Sequence, residues 1–262
     1  MSNQELILYE VKGRVATITL NRPDKANAAN IEMLQNIHAR LLEADENERI
    51  KVIRIRSTGD RFFSAGYDLK EVAGNPENVK KITHWGRKVN QTILFLKKPV
   101  MVQVQGVAIG FGVLLIVASD LRVFADRPQN ELYIQLPELF ISAFPQTGAT
   151  LMPLMAFGPT YAKNLLFTNR KAGLEELKNI NFPTKIFPFE TLDSETMAYA
   201  KELGKLQMEF LFTEKSMMTI INKAKMESFF DMEDECGAYA YGPKKSMKDL
   251  HEFIQDLYKK YY

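Results

Sequence analysis

The sequence has little of the residue types that build disulfides and metal sites. It contains one cysteine, Cys236, and three histidines that lie far apart along the chain. One cysteine excludes an internal disulfide framework and any multi-cysteine metal site. The histidines show none of the close spacings that zinc enzymes use, which argues against a zinc site. We therefore expect no metal centre.

The chain also lacks a strong charge of one sign and a long apolar run. Its 34 basic and 32 acidic residues leave a net charge of +2, and the basic residues are scattered, so nothing indicates a nucleic-acid binder. The most apolar stretch, Gly106–Ser119, is too short to span a membrane and contains three glycines. The first residues lack the features of a signal peptide. We expect a cytoplasmic protein with neither nucleic-acid nor membrane partners.

What is present is typical of a folded protein. The 262 residues, 46% apolar and 25% charged, fit one large domain or one domain with a small appendage. The segments LILYEV and VATITL read as strands joined by a short KGR turn. A helix from Asn30 to about Asp45 follows, with Asn30 as its N-cap, and then the strand VIRIRS.

The same alternation continues through the middle of the chain. Gly74–Gln91 is polar and reads as a loop leading into a helix that ends near Leu96. KKPVMVQVQG predicts a strand, GFGVLLIVASD a buried helix and LRVFAD another strand. Alternating strands and helices indicate an α/β fold with parallel strand pairing. After Gly158 the pattern becomes mostly helical, with turn signals at NFPTKIFPFETL.

The last part of the chain has its own character. Residues 194–262 carry methionines and aromatic residues at helical spacing and contain no strand candidate. We predict a core domain over residues 1–193. The helical region over 194–262 would cover the core or contact partner subunits.

Two glycine-containing turns follow two strands, FFSAGYDLK after VIRIRS and QGVAIGFG after VMVQV. Each precedes a predicted helix, so each can leave unpaired backbone N–H groups at a helix start. Two such turns on neighbouring strands could direct two N–H donors at one oxygen, as stabilising an oxyanion or enolate requires. The alternative is that the glycines only relieve crowding where strands meet helices.

A third stretch, Leu136–Gly158, is poor in charge but contains Glu138 directly after Pro137. A single carboxylate among apolar residues is either exposed at a loop edge or buried with a raised pKa, which suits proton transfer. The residue pattern leaves both possibilities open.

In order and spacing these stretches resemble the crotonase, or enoyl-CoA hydratase/isomerase, family. The similar segments are ITLNRPDKANA, FFSAGYDLKE, KKPVMVQVQGVAIGFG with ASDLRVFAD, LPELFISAFPQTGAT and GLEELKNINFPTKIFPFETL. Any one of them is a weak signal, but together they run in register to about Leu211. The resemblance implies a crotonase-like spiral of ββα units followed by a helical C-terminal region.

The resemblance also implies site residues. The two enolate-stabilising N–H groups would be those of Tyr67, where the family usually has alanine, and Phe111, where it usually has glycine. The coenzyme A thioester would lie along residues that match the family's binding positions or adjoin them: Lys25, Ala26, Ala65, Gly66, Asp68, Leu69, Lys70, Gly110 and Leu114. Coenzyme A is then part of the substrate, and no separate cofactor is expected. A homotrimer, or a hexamer made of two trimers, is the expected assembly.

The acid/base residues distinguish the reactions of this family. Its hydratases hold water between two glutamates; here Leu114 stands at the first position and Glu138 at the second. One carboxylate is enough to move a proton between carbons, and Phe111, Leu114 and Phe140 make the site apolar. This pattern resembles the Δ3,Δ2-enoyl-CoA isomerases. Gln146 and Thr147 stand where other isomerases use an acidic residue.

We therefore predict a double-bond isomerase with Glu138 as its single acid/base. Hydratase, hydrolase or decarboxylase chemistry on another acyl-CoA is the second reading. The third is a catalytically silent homologue that binds acyl-CoA or serves as an oligomer partner.

Overall fold

The computed structural model describes residues 5–243 and 245–261. The start of the chain, on which the expectation about a signal peptide depends, lies partly in residues 1–4, outside the described part. The strands are β1 (Ile7–Lys12), β2 (Val15–Leu20), β3 (Val52–Ser57), β4 (Phe62–Ser64), β5 (Val100–Val104), β6 (Val107–Ile109), β7 (Leu121–Asp126), β8 (Tyr133–Gln135), β9 (Ala172–Gly173) and β10 (Lys185–Pro188).

Helices cover most of the remaining described chain. They are α1 (Ile31–Glu46), α2 (Leu69–Val72), α3 (Pro76–Phe95), α4 (Phe111–Ala118), α5 (Leu151–Thr168), α6 (Leu174–Asn179), α7 (Leu192–Leu203), α8 (Met208–Ile220), α9 (Lys223–Ala240) and α10 (Met247–Tyr261). Short 3-10 turns lie at Pro23–Lys25, Glu138–Ile141 and Phe189–Thr191.

The strands form two sheets, and the chain adds strands to both of them as it proceeds. The large sheet has the order β1-β2-β3-β5-β7-β10 and the small one β4-β6-β8-β9. Pairing is parallel except in the β1–β2 hairpin and between β8 and β9. Each of the pairs β3–β4, β5–β6 and β7–β8 adds one strand to each sheet before the chain continues into helix. This repetition is the expected spiral of ββα units.

Burial explains the apolar strand sequences. Every residue of β2 and of β5 is buried, as expected for strands of a largely parallel sheet that is covered on both faces. Helix α7 packs on β3, β5, β7 and β10, and α1 packs on the β1–β2 hairpin and on α3. Helix α4 is buried along its whole length, which agrees with a helix sequence that is apolar on every side.

The predicted start of α1 is confirmed, and α3 begins inside the polar segment and ends near Leu96, as expected. The Asn30 side chain accepts a hydrogen bond from Met33 N at 2.9 Å. Only Gly74 and Asn75 of the polar segment precede the helix, which begins at Pro76. Asn75 Oδ1 accepts from the N–H groups of Glu77 and Asn78, and proline is favourable at the first helical position. These capping signals outweigh the polar composition of the segment.

The sequence patterns missed the short strands. NFPTKIFPFETL, in which the sequence shows turn signals, includes β10, which pairs in parallel with β7. The two glycine turns are preceded by three-residue strands, β4 and β6. Strands this short carry too few residues for an alternation of apolar and polar side chains to be visible.

The described part of residues 194–262 contains helices and no strand, as expected. Several large apolar side chains of α8, among them Phe210 and Ile220, are exposed. Helix α10 has no buried residue. The division of the chain at residue 193 stays a prediction, as does a role of the C-terminal helices in oligomerisation. No helix in residues 5–243 or 245–261 is long and apolar enough to cross a membrane.

Candidate active site

Glu138 is the ionisable group at the centre of the site. It begins the 3-10 turn after β8, and its Oε1 lies against Gly110, 3.2 Å from where a Cβ on that glycine would be. Oε2 is buried and has no hydrogen-bond partner within residues 5–243 and 245–261. Burial raises the pKa of this carboxyl to about 7, opposed only by a hydrogen bond from its own backbone. Glu138 as a whole is half-buried, but its carboxyl end is buried and its pKa is raised, which is the second of the two possibilities.

The two glycine turns lie in direct contact. Gly66 has φ of 90°, and a Cβ there would lie 2.8 Å from the Ile109 carbonyl oxygen and 3.3 Å from Phe111 N. Gly110 also has a positive φ, 51°. Only glycine combines this backbone conformation with so close an approach. Gly66 is therefore required to bring the turns together, beyond relieving local crowding, and Gly110 provides the bend next to Glu138 Oε1.

The N–H groups of Tyr67 and Phe111 belong to these turns. Phe111 is the first residue of α4, and Tyr67 forms an isolated parallel bridge with Ala29 in which Gly66 O accepts from Ala29 N and Ala29 O accepts from Asp68 N. Within the described residues, neither N–H donates to a protein acceptor. Both donors are thus available to a ligand next to Glu138.

The Tyr67 side chain fills space beside these donors. Its ring stacks on the Phe111 ring with centroids 4.7 Å apart, and its hydroxyl donates to Thr147 Oγ1 at 3.0 Å. Burial raises the pKa of this phenol well above its usual range. Tyr67 is therefore a neutral hydrogen-bond donor fixed at both ends of its ring.

Thr147 is held in an unusual conformation. It is buried, and its φ of 65° is rare for a β-branched residue. Asn90 of α3 donates to its carbonyl oxygen at 2.8 Å. Backbone strain of this kind persists only where the surrounding structure fixes it. The acceptor of the Tyr67 hydroxyl is thus rigidly positioned.

The segment that contains Lys25 and Ala26 is fastened to the first glycine turn. Ala26 O accepts from Ala65 N at 2.9 Å, and the buried Asn27 side chain donates to Thr58 O and Phe62 O. The side chain of Lys25 is exposed. Lys25, Ala26, Ala65 and Gly66 are therefore brought together as the sequence predicts.

Asp68, Leu69 and Lys70 continue from that turn into α2. Asp68 caps the helix by accepting from Lys70 N at 3.1 Å, and it accepts from Arg22 at 2.7 Å. Burial raises the pKa of Asp68, but the Arg22 bond and charge more than offset this and keep the pKa below its usual value. Leu69 and Lys70 are exposed. In this structure Asp68 shapes the turn, and only its two successors present side chains to solvent.

The three apolar residues expected around the site differ in exposure. Phe111 and Leu114 are buried on α4. Phe140 is 59% exposed, and its place in an apolar site stays a prediction. It lies in the same 3-10 turn as Glu138.

Residues that the sequence patterns did not single out hold the loop around Thr147. Glu233 of α9 accepts from Gly148 N at 2.6 Å, from Thr150 N at 2.9 Å and from Leu151 N at 3.2 Å, capping α5. Burial raises the pKa of Glu233 to about 7 against the effect of these three donors. No sequence signal marks it, because the cap and the helix it caps lie more than eighty residues apart.

Arg87 provides a second long-range link, donating to Asp231 at 2.6 Å and to Asp234 at 2.5 Å. It joins α3 to α9. Within residues 5–243 and 245–261, no group of three or more His, Cys, Asp or Glu side chains is arranged to hold a metal ion.

Comparison with known proteins agrees with this geometry. The model of the family described as enoyl-CoA hydratase/isomerase matches residues 10–257. Over so much of the chain the match is decisive: the protein belongs to the enoyl-CoA hydratase/isomerase family.

Individual relatives show how far the similarity extends. The chain is 31% identical over 200 residues to a putative enoyl-CoA hydratase/isomerase, YngF, of Bacillus subtilis, covering 76% of this chain and 74% of the relative. It is 29% identical over 199 residues to a short-chain-enoyl-CoA hydratase of Clostridium acetobutylicum, covering 76% and 73%. A probable enoyl-CoA hydratase structure from Mycobacterium thermoresistibile superimposes with a TM-score of 0.76 at 30% identity, covering 90% of this chain and 98% of the other.

Proposed function

We propose that this protein is an acyl-CoA double-bond isomerase that converts 3-enoyl thioesters to 2-enoyl thioesters. The observation that carries the proposal is the Glu138 carboxyl, whose Oε2 is buried and has no partner among the described residues and whose pKa is raised to about 7. It lies against the turn that presents the Phe111 N–H. A general base works best when its pKa is close to the working pH.

The reaction needs one proton to leave and one to return. Glu138 takes a proton from C2 of the 3-enoyl thioester, and the electrons of that C–H bond delocalise onto the thioester oxygen as a dienolate. The N–H groups of Tyr67 and Phe111 stabilise the oxygen. The carboxylic acid then returns a proton to C4, the double bond lies between C2 and C3, and Glu138 is again ionised.

The thioester would lie along the segment fastened to the first glycine turn. The exposed ammonium groups of Lys25 and Lys70 are suited to the phosphates of coenzyme A. Ala26, Ala65, Gly66, Leu69, Gly110 and Leu114 would provide the remaining contacts. A trimer or a hexamer is proposed on the family resemblance, and the exposed apolar side chains of α8 support such contacts.

Hydration is the competing activity, because several similar proteins are named as enoyl-CoA hydratases. A hydratase of this family needs a second carboxylate to position water, and the buried Leu114 occupies that position. The apolar Leu114 side chain cannot orient water, so proton transfer between carbons is favoured over addition of water.

The test compares two reactions on matched thioesters. The wild-type protein should isomerise 3-enoyl-CoA and should hydrate 2-enoyl-CoA far more slowly. Glu138→Gln should lower kcat for isomerisation by about a hundredfold or more while coenzyme A binding persists. Full turnover by Glu138→Gln would exclude Glu138 as the base. Rapid hydration by the wild type would support the hydratase reading, and binding without any turnover would support a silent homologue.

A further inference from the structure

A deep groove lies between α3 and α9, separate from the residues around Glu138. Its volume is about 990 Å³. Apolar residues in its lining include Val72, Val79 and Ala238, and the ring of Tyr241 also faces it. Glu138, Tyr67 and Phe111 are not among the residues that line it. The groove is large enough for an acyl chain, but a side chain lies between it and the Glu138 carboxylate.

Tyr67 stands in that position. Its hydroxyl contacts α3 at Gly86, where any Cβ would overlap the phenol oxygen. The next residue, Arg87, lines the groove. On the other side, the hydroxyl donates to Thr147, and the preceding residue, Gln146, also lines the groove. The tip of the tyrosine therefore touches the inner side of two segments whose outer side is the groove wall.

The ring cannot easily move aside. Phe111 stacks on one face, and Thr147 is itself fixed by the hydrogen bond from Asn90. Gln146 packs against Gly237 of α9, where a Cβ would overlap its amide. Leaving a buried hydroxyl without its partner would also cost free energy. The closed arrangement is the stable one.

We infer that Tyr67 determines the length of the acyl group: its side chain closes the route from Glu138 to the α3–α9 groove and restricts the site to short acyl thioesters. This inference rests on the proposed function for the identity of the ligand class. Removing the ring would join the site to the groove and admit longer chains.

Binding of saturated thioesters tests this without any turnover. Affinities for butanoyl-CoA and decanoyl-CoA are measured by calorimetry on the wild type, Tyr67→Ala and Tyr67→Phe. Wild type and Tyr67→Phe, which keeps the ring, should prefer butanoyl-CoA by about tenfold or more. Tyr67→Ala should lose that preference or reverse it. Tyr67→Leu, whose side chain keeps apolar contact with Phe111 but is too short to reach Gly86, should behave like Tyr67→Ala and serves if the alanine variant does not fold.

Three results would overturn the inference: a wild type that binds decanoyl-CoA as tightly as butanoyl-CoA, a preference unchanged in both shortened variants, or no binding of either thioester. The proposed isomerase activity can be refuted independently of this inference. If the preference shifts as expected but 3-enoyl-CoA is not turned over, the reaction assignment is wrong and the role of Tyr67 in selection stands.

Discussion

Glu138 should make the stability of this protein fall as pH rises through the neutral range. Its Oε2 is buried and has no partner in the described part of the chain, so the folded state favours the protonated form and the unfolded state does not. The rise of its pKa from 4.5 to about 7 corresponds to about 3 kcal/mol. Because the pKa is higher in the folded state than in the unfolded state, this destabilisation is nearly absent below pH 4.5 and complete above pH 7.

Replacing Glu138 by glutamine removes the titration and keeps the shape. The amide has its own burial cost, but that cost does not change with pH and cancels when one protein is compared at two pH values. Between about pH 5 and about pH 8, the wild type should lose about 2–3 kcal/mol more unfolding free energy than Glu138→Gln. Glu233 also titrates in this range, but it is common to both proteins and cancels as well.

The assay is urea unfolding at fixed protein concentration, since assembly would otherwise contribute to the stability. Glu195→Gln is the control, because Glu195 is an exposed carboxylate; its pH dependence should match the wild type within about 0.5 kcal/mol. If the wild type and Glu138→Gln lose stability in parallel, Glu138 is hydrated in solution. The argument for it as a neutral-range base would then be refuted.

Three further substitutions test the contacts that hold the fold. Glu233→Ala should destabilise the protein by about 2–3 kcal/mol, because it leaves the buried donors at the start of α5 unpartnered; amide hydrogen exchange at Gly148 and Leu151 should accelerate, and exchange unchanged there would contradict the capping role. Asn30→Ala should lower the free energy of unfolding in urea by about 1 kcal/mol, because the α1 cap is removed. An unchanged stability would show that the cap is redundant. Lys215→Met should lower the free energy of unfolding at neutral pH by about 2 kcal/mol. The Lys215 ammonium is buried and donates to Lys98 O at 2.8 Å and Asp120 Oδ2 at 2.7 Å. An unchanged stability would mean that the apolar side chain compensates fully for the lost contacts.

The sequence was informative where a local rule determines the structure. Asn30 is a cap because its side chain reaches Met33 N three residues away. The glycines predict turns after the two strands, and Gly66 and Gly110 adopt positive φ there. The positions that the family resemblance supplied, above all Glu138 beside Gly110, are also adjacent in space. Their catalytic roles remain predictions until the assays described above are made.

What could not be predicted depends on contacts between distant segments. The burial of Glu138 requires the neighbouring turns, so the pattern around it left two possibilities open. The ring of Tyr67 is fixed by Thr147, eighty residues later, and nothing in the local sequence indicates that partner. The 59% exposure of Phe140 is likewise not revealed by the apolar composition of its segment.

The cap that Glu233 places on α5 has a consequence for the order in which the protein is completed. A ribosome synthesises both sheets and Glu138 well before it reaches Glu233. Until α9 docks, the N–H groups of Gly148, Thr150 and Leu151 lack their acceptor. The loop that contains Thr147, the acceptor of the Tyr67 hydroxyl, is therefore fixed only after α9 has docked. A chain released before residue 233 would contain the strands of both sheets but lack the contacts that hold this wall of the site.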